Sequence, residues 1–212
     1  MTDPNPLSSS YDRVAAEYTA RIADELAGKP LDRALLRAFA EQVGPLGPLA
    51  DLGCGPGQVA AFLAEAGSEV VGFDLSSGMI EQARLRYPKL TFRQGDLRSL
   101  PASDAAFGGI VAFYSIIHLL PAERVPAFRE WRRVLRPGGF ALVAFHIGDS
   151  VTHFDEWWDR PVDLDFHFLE PEAVAAELIE AGFTIEATLR RAPYAGVEHP
   201  NERGYVLARR ST

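Results

Sequence analysis

After Ser10, apolar residues recur every three or four positions, at Tyr11, Val14, Ala15, Tyr18, Ile22 and Leu26. That is the spacing of one helical face. Ser8, Ser9 or Ser10 is suited to cap this helix, and Gly28 with Pro30 to end it. A second helix is expected from Leu31 to Val43, stopped by Gly44 and Pro45. The period then changes. Leu49 to Leu52 reads as a short buried strand running into the glycine cluster Gly53-Cys54-Gly55-Pro56-Gly57. Helices follow at 59–66, 77–87, 121–135 and 171–181, interleaved with strands at 69–74, 90–94, 109–114 and 140–145. Strands at 183–189 and 205–208 close the chain, and residues 147–169, rich in aromatics, Asp and His, interrupt the rhythm. Strands alternating with helices in this way imply βαβ units, hence a doubly wound α/β sheet, mostly parallel and covered by helices on both faces.

Composition narrows the picture without changing it. The chain has 212 residues, 47% of them hydrophobic and 24% charged, which suits one globular domain spanning 1–212. The opening MTDPNPLSSS has neither a basic region nor an apolar one, so no secretory signal is expected. The apolar run from Phe107 to Leu120 includes His118 and falls short of the roughly 18–20 residues that a bilayer span needs. Cys54 is the only cysteine, so no internal disulfide is possible. A cytoplasmic monomer or homodimer is expected. A net charge of -8 disfavours nucleic acid, whose binders present a basic face. The cluster Arg129, Arg132, Arg133 and Arg136 has the spacing of a solvated helix face.

Ligands of such sheets bind beyond the carboxyl ends of the strands, and the informative residues stand there. The glycine cluster follows the first strand and opens a helix, where a backbone free of Cβ atoms can approach a ligand. Asp74 ends the second strand, placed to accept from both hydroxyls of a ribose. A dinucleotide fingerprint needs G-x-G-x-x-G, but Gln58 stands where its third glycine would fall. What remains is G-x-G-x-G. Here the chain resembles the class I S-adenosylmethionine (SAM)-dependent methyltransferases, in particular their small-molecule group. Leu49 to Gly57 looks like their motif I, VVGFDLSSGMIEQA (70–83) and FRQGDLRSLP (92–101) like the next two segments. Phe107 to His118 is similar to the fourth strand and its exit, and VLRPGGFALVA (134–144) to the turn into the fifth.

The resemblance implies a Rossmann-like sheet of about seven strands with an antiparallel last strand, N-terminal lid helices within 1–45, and SAM as cofactor, leaving as S-adenosylhomocysteine. It implies that Asp51 and the backbone of Gly53, Cys54, Gly55 and Gly57 hold the methionine portion. Asp74 takes the ribose, with Leu75 and Met79 against the adenine. Asp96 accepts from the adenine amino group while the Leu97 amide donates. Tyr114 and Ser115 close the floor beneath the sulfonium, and Tyr11 and Tyr18 cover the methionine end. One departure is Phe107-Gly108-Gly109, where family members often show Phe-Asp; a looser turn is expected there.

Methyl transfer from a sulfonium is an in-line displacement that gains chiefly from holding the reactants together. A base is needed only if the acceptor must lose a proton. His146, at the end of the fifth strand, is the first candidate and His118 the second. His153, Trp157, Trp158 and His167 are expected to shape the acceptor pocket, with 147–168 forming its lid over a small planar or apolar molecule. His146, Asp149, His153, Asp155 and Glu156 are competent ligands without a metal-site spacing, so no metal is expected. Competing functions are a SAM-binding protein or non-methylating SAM-dependent catalyst, a macromolecule methyltransferase, and a nicotinamide dehydrogenase.

Overall fold

A computed structural model of the chain describes residues 5–211. Its seven-stranded sheet has the order β3-β2-β1-β4-β5-β9-β8. The strands are β1 (Leu49–Leu52), β2 (Val70–Asp74), β3 (Thr91–Gln94), β4 (Phe107–Phe113), β5 (Leu135–His146), β8 (Phe183–Arg191) and β9 (Arg203–Arg210). All pairings from β3 to β5 are parallel, and β9 runs antiparallel to both β5 and β8. The order reverses at β1, so the crevice between β1 and β4 is where a ligand belongs.

Period-two alternation along each strand feeds two cores. In β5, Ala141, Val143 and Phe145 face α5 (Pro121–Val134) and α6 (Pro171–Glu180). Phe140, Leu142 and Ala144 face the other layer, made by α2 (Pro30–Val43), α3 (Gln58–Glu65) and α4 (Ser77–Arg86). Trp131 anchors the first core: it is 0% exposed, and its indole N–H donates to the Leu97 carbonyl at 2.9 Å. Such a fully buried large side chain contributes about 3 kcal/mol.

Four expectations are corrected. Helix α1 (Pro6–Ile22) starts before the serines, capped by Asn5, whose side chain accepts from the Leu7 N–H at 3.1 Å. Pro6 fills the first helical position, where a missing N–H costs nothing. Of the two helices within 1–45 only α1 stands over the site, because Leu36, Phe39 and Val43 bury α2 against the sheet. Residues 147–168 are no irregular loop but contain a hairpin, β6 (Val151–Trp157) paired antiparallel with β7 (Arg160–His167). Its two-residue turn, Trp158-Asp159, has φ of 54° and 59°, the left-handed pair that matches strand twist in a tight hairpin. The Phe107-Gly108-Gly109 turn is likewise not loose, for it lies inside β4, and a Cβ on Gly109 would meet Leu49, Val43 and Phe39 at 2.8–3.0 Å. Among the described residues no helix is long and apolar enough to cross a membrane.

Candidate active site

A cavity of about 410 Å3 opens at the carboxyl edge of the sheet, over β1, β2 and β4 and beneath α1 and β7. Its size is that of a small-molecule site. One wall is the loop after β1. Gly53 has φ +70°, and a Cβ there would lie 2.3 Å from the Ser115 Cβ; only glycine lets this backbone pass so close to the loop leaving β4. Gly53, Cys54 and Gly55 line the cavity. Gly57 is not among the lining residues and caps α3 in a left-handed conformation (φ 88°), with Phe92 filling the space where a Cβ would be.

Asp74 joins two of these loops. Its Oδ2 accepts from the Gly55 N–H and its Oδ1 from the Ser76 N–H, each at 2.8 Å. Burial pushes this carboxyl up to about 6 against those two hydrogen bonds. Leu75 and Met79 flank it on the cavity wall. Further along, Asp96 and Leu97 line the cavity as expected, together with Arg98, which sequence reasoning missed. The Arg98 guanidinium spans both Asp96 oxygens at 2.7–3.0 Å and reaches Glu123 at 2.5 Å. Burial opposes ionisation of Asp96, but Arg98 outweighs it and holds the carboxyl below its ordinary range.

Deeper in, lining side chains lack partners. Asp51 is 1% exposed, and burial raises its carboxyl to about 7. Its Oδ2 makes no hydrogen bond, nor do Gln58 Oε1, the Tyr114 hydroxyl, Ser115 Oγ and His167 Nε2, all buried atoms of residues that line the cavity. Buried polar atoms are rarely left alone in a folded protein, so this concentration fits a polar ligand. The residues present fit SAM: a cation for Asp51, ribose hydroxyls for Asp74, and an edge bearing an amino group for Asp96.

The cap is held by side chains rather than by backbone ladders. On α1, Asp12 Oδ1 accepts from Ser76 Oγ at 2.6 Å and from the Gly78 N–H at 2.8 Å, while Ser8 Oγ donates to the Leu75 carbonyl at 3.1 Å. Ser10 Oγ accepts from the Asp163 N–H at 2.8 Å, tying α1 to the hairpin. Tyr11 and His118 meet at 2.7 Å inside the cavity wall, and His118 Nδ1 lies 2.9 Å from the Asp165 carbonyl. A carbonyl only accepts, so Nδ1 carries the proton and the Tyr11 hydroxyl donates to the Nε2 lone pair. Burial keeps this imidazole neutral, with a pKa lowered to about 4.

Several expected residues stand elsewhere. His146 does not line the cavity; it packs 5.0 Å from the Tyr114 ring, and burial, then Arg203 and Lys29, lower its pKa to about 3. His153 is outside the cavity, more than half exposed, and paired with Asp165 at 2.9 Å. Trp157 and Trp158 stack on each other at 4.4 Å and pack edge-on against Tyr18 at 5.8 and 6.2 Å. They back the tyrosines rather than line the cavity. The hairpin's lining residues are Asp163, Asp165 and His167, on the polar face of β7. The alternation Val162-Asp163-Leu164-Asp165-Phe166-His167 is the signal that identifies this strand. Glu25, also missed, lines the cavity from a short 3-10 turn, Glu25–Gly28, which leaves no periodic trace. Among the described residues no group of three His, Cys, Asp or Glu is arranged to hold a metal ion.

Known proteins resemble this chain in sequence and in fold. A family model described as a methyltransferase domain matches residues 49–139. A demethylmenaquinone methyltransferase of Beutenbergia cavernae is 33% identical over 144 residues, covering 67% of this chain and 58% of the relative. The chain thus spans little more than half the length of that relative. An uncharacterized methyltransferase of Synechocystis sp. is 31% identical over 163 residues, covering 73% of each protein. Among solved structures, the [4+2]-cyclase SpnF superposes with a TM-score of 0.72 at 19% identity, over 97% of this chain and 96% of the other; it shares the fold alone. Fold, motif order and relatives converge, and the chain belongs to the class I SAM-dependent methyltransferases.

Proposed function

We propose that this protein transfers a methyl group from SAM to an O, N or C atom of a small planar or apolar acceptor. The observation that carries this is the set of unpartnered buried polar atoms at the carboxyl edge, Asp51 Oδ2 foremost. SAM supplies the electrophilic methyl group when bound. Asp51 would take its ammonium, Gly53 to Gly55 would lie along the methionine, Asp74 would take the ribose, and Asp96 with Leu97 the adenine. Tyr114 and Ser115 would wall the sulfonium side. Tyr11, His118 and His167 would then meet the acceptor. His118 is a weak base at a pKa of about 4, far below the value suited to proton removal near neutrality. Its service is orientation: the Nε2 lone pair that holds the Tyr11 hydroxyl would accept the same bond from an acceptor O–H or N–H. Holding the nucleophile in line, with water excluded by α1 and β7, is the larger source of acceleration.

Calorimetry with SAM, S-adenosylhomocysteine and NADH tests the first half; binding of NADH instead of SAM would overturn it. Incubating the enzyme with a metabolite extract and trideuteromethyl SAM tests the second. A labelled small molecule is the expected result. SAM binding with no labelled product of any size would favour a SAM-binding protein or a non-methylating catalyst. A labelled macromolecule would move the acceptor to another class.

A further inference from the structure

The lining of the cavity is unbalanced in charge. Among the described lining residues Arg98 is the only Lys or Arg, and Asp96 and Glu123 already occupy it. Asp51 and Asp74 are taken up by the cofactor reading above, and Glu25 accepts from Lys29 Nζ at 2.6 Å. Two lining carboxylates are left without a task, Asp163 and Asp165 of β7. Only the backbone of Asp163 is engaged, by Ser10 Oγ; its carboxylate meets no described residue. The Asp165 carboxylate meets only His153, at 2.9 Å and outside the cavity. Both stand at the end proposed for the acceptor, since the Asp165 carbonyl accepts from His118 Nδ1 at 2.9 Å. His167 follows on the same face of β7, and its buried Nε2 has no partner. Ser115, 8% exposed, likewise lines the cavity with an unpartnered Oγ. Leu7 adds apolar lining, as do Leu119 and Leu120, next in the chain to His118.

We propose that the methyl acceptor is a basic amine on an apolar body, received as its ammonium by Asp163 and Asp165. The inference rests on the methyl-transfer reading above and narrows its acceptor. A carboxylate or phosphate would enter against two unneutralised carboxylates with no free cation to meet it, and like-charge repulsion excludes it. An ammonium meets the opposite sign, which raises its local concentration at the mouth. The body of the molecule lies against the three leucines. The ammonium then gives one proton to His167 Nε2, and a remaining N–H donates to His118 Nε2, which aims the freed lone pair. That lone pair forms the N–C bond to the methyl group as the S–C bond breaks, whose electron pair stays on sulfur. Positive charge passes from the sulfonium to the methylated ammonium, and His167 returns its proton to water. The charge that develops on nitrogen stays within reach of the β7 carboxylates, already in place before the reaction.

The test divides a metabolite extract, freed of macromolecules, on a cation exchanger at neutral pH. Bound and unbound fractions are incubated separately with the enzyme and trideuteromethyl SAM. The bound fraction should give at least about tenfold more labelled product than the unbound one. A smaller ratio, or label chiefly from the unbound fraction, would overturn the amine assignment. No label from either fraction would instead overturn the methyl-transfer reading on which it rests. With the bound fraction as substrate, Asp163→Asn combined with Asp165→Asn should raise the half-saturating amount about tenfold and keep SAM affinity within about threefold. Both side chains are exposed, so the fold survives their loss. His167→Gln, which accepts a hydrogen bond but not a proton, should lower the maximal rate about a hundredfold with half-saturation little changed. Unchanged half-saturation in the double variant would remove the two carboxylates from the acceptor site. Full rate in His167→Gln would overturn the proton transfer to that imidazole.

Discussion

The two ends of the cavity are built by different means. At the end proposed for the cofactor, three loops leave adjacent parallel strands, and each carries its chemistry within a few residues of the strand end: Gly53 to Gly55, Asp74 and Asp96. The geometry there belongs to the backbone, as in the bonds from Gly55 and Ser76 amides to Asp74. At the end proposed for the acceptor, α1 and the β6–β7 hairpin meet across long stretches of sequence. Ser10 bonds to Asp163, 153 positions away, and Tyr11 to His118, 107 positions away. A site made by backbone demands particular residues at particular strand ends. A site made by side chains from distant segments accepts many solutions.

This contrast sets the order of expected effects. The largest is at Gly53. Gly53→Ala would force a side chain into a left-handed conformation and against Ser115, costing about 2–4 kcal/mol from strain and overpacking together. Cofactor binding should fall at least about a hundredfold, and thermal denaturation should show a lower midpoint. Full binding in this variant would mean that the loop tolerates rearrangement and is not a fixed cradle.

Asp74→Ala comes next. Loss of ribose contacts should weaken SAM by about 30- to 1,000-fold, or roughly 2–4 kcal/mol. Because the carboxylate also holds two backbone amides, the melting temperature should fall as well. Titration calorimetry alongside a thermal melt separates the two losses. An unchanged dissociation constant in a folded protein would remove Asp74 from the site.

Trp157→Ala sharpens the comparison from the other end. Trp157 packs on Trp158, Tyr11 and Tyr18, so truncation should destabilise the cap by about 2–3 kcal/mol, below the cost in a full core. Acceptor KM should rise, and SAM affinity should stay within about threefold. A drop in SAM affinity as large as that of Asp74→Ala would show that the two ends are not separable. The smallest effect is expected of Tyr11→Phe, which removes one hydrogen bond from His118, worth about 1 kcal/mol. Hydrogen exchange should then quicken in 160–167 while the β1–β2 loops stay protected.

How much was legible follows from the same division. The glycine loop, Asp74 and the succession of strands and helices come from local rules, and the alternation of apolar positions finds most of the sheet. His146 is instructive as a failure. It ends β5 at the correct edge, yet strand alternation and its pairing with Arg203 on β9 bury it beside Tyr114, outside the cavity. Position along a strand is a sequence property, whereas which neighbour covers the strand end is not. The hairpin was hidden for a different reason: its turn uses Trp158 and Asp159 at positive φ where Asn-Gly would have announced it. Trp157 and Trp158 carry the right composition for a pocket, but they stack on each other behind Tyr18.

The state of Asp51 offers the most direct test. In the ligand-free protein burial pushes its carboxyl up to about 7 and that of Asp74 up to about 6. Between an ordinary carboxyl near about 4 and these values, the folded chain holds more protons than the unfolded one, so these groups' stabilisation is lost as pH rises through that window. Binding of a cation works the other way, because it requires Asp51 ionised and releases its proton. The measurement is the dissociation constant of S-adenosylhomocysteine from pH 5 to 8, for the wild type and for Asp51→Asn. Wild-type affinity should be flat above about pH 7 and fall by up to about tenfold per unit below it, more steeply once Asp74 protonates, while the variant binds weakly and loses the upper step. Wild-type affinity that ignores pH across this range, or an Asp51→Asn variant that binds as tightly as the wild type, would contradict the assignment of this cavity as the SAM site with Asp51 at its ammonium end.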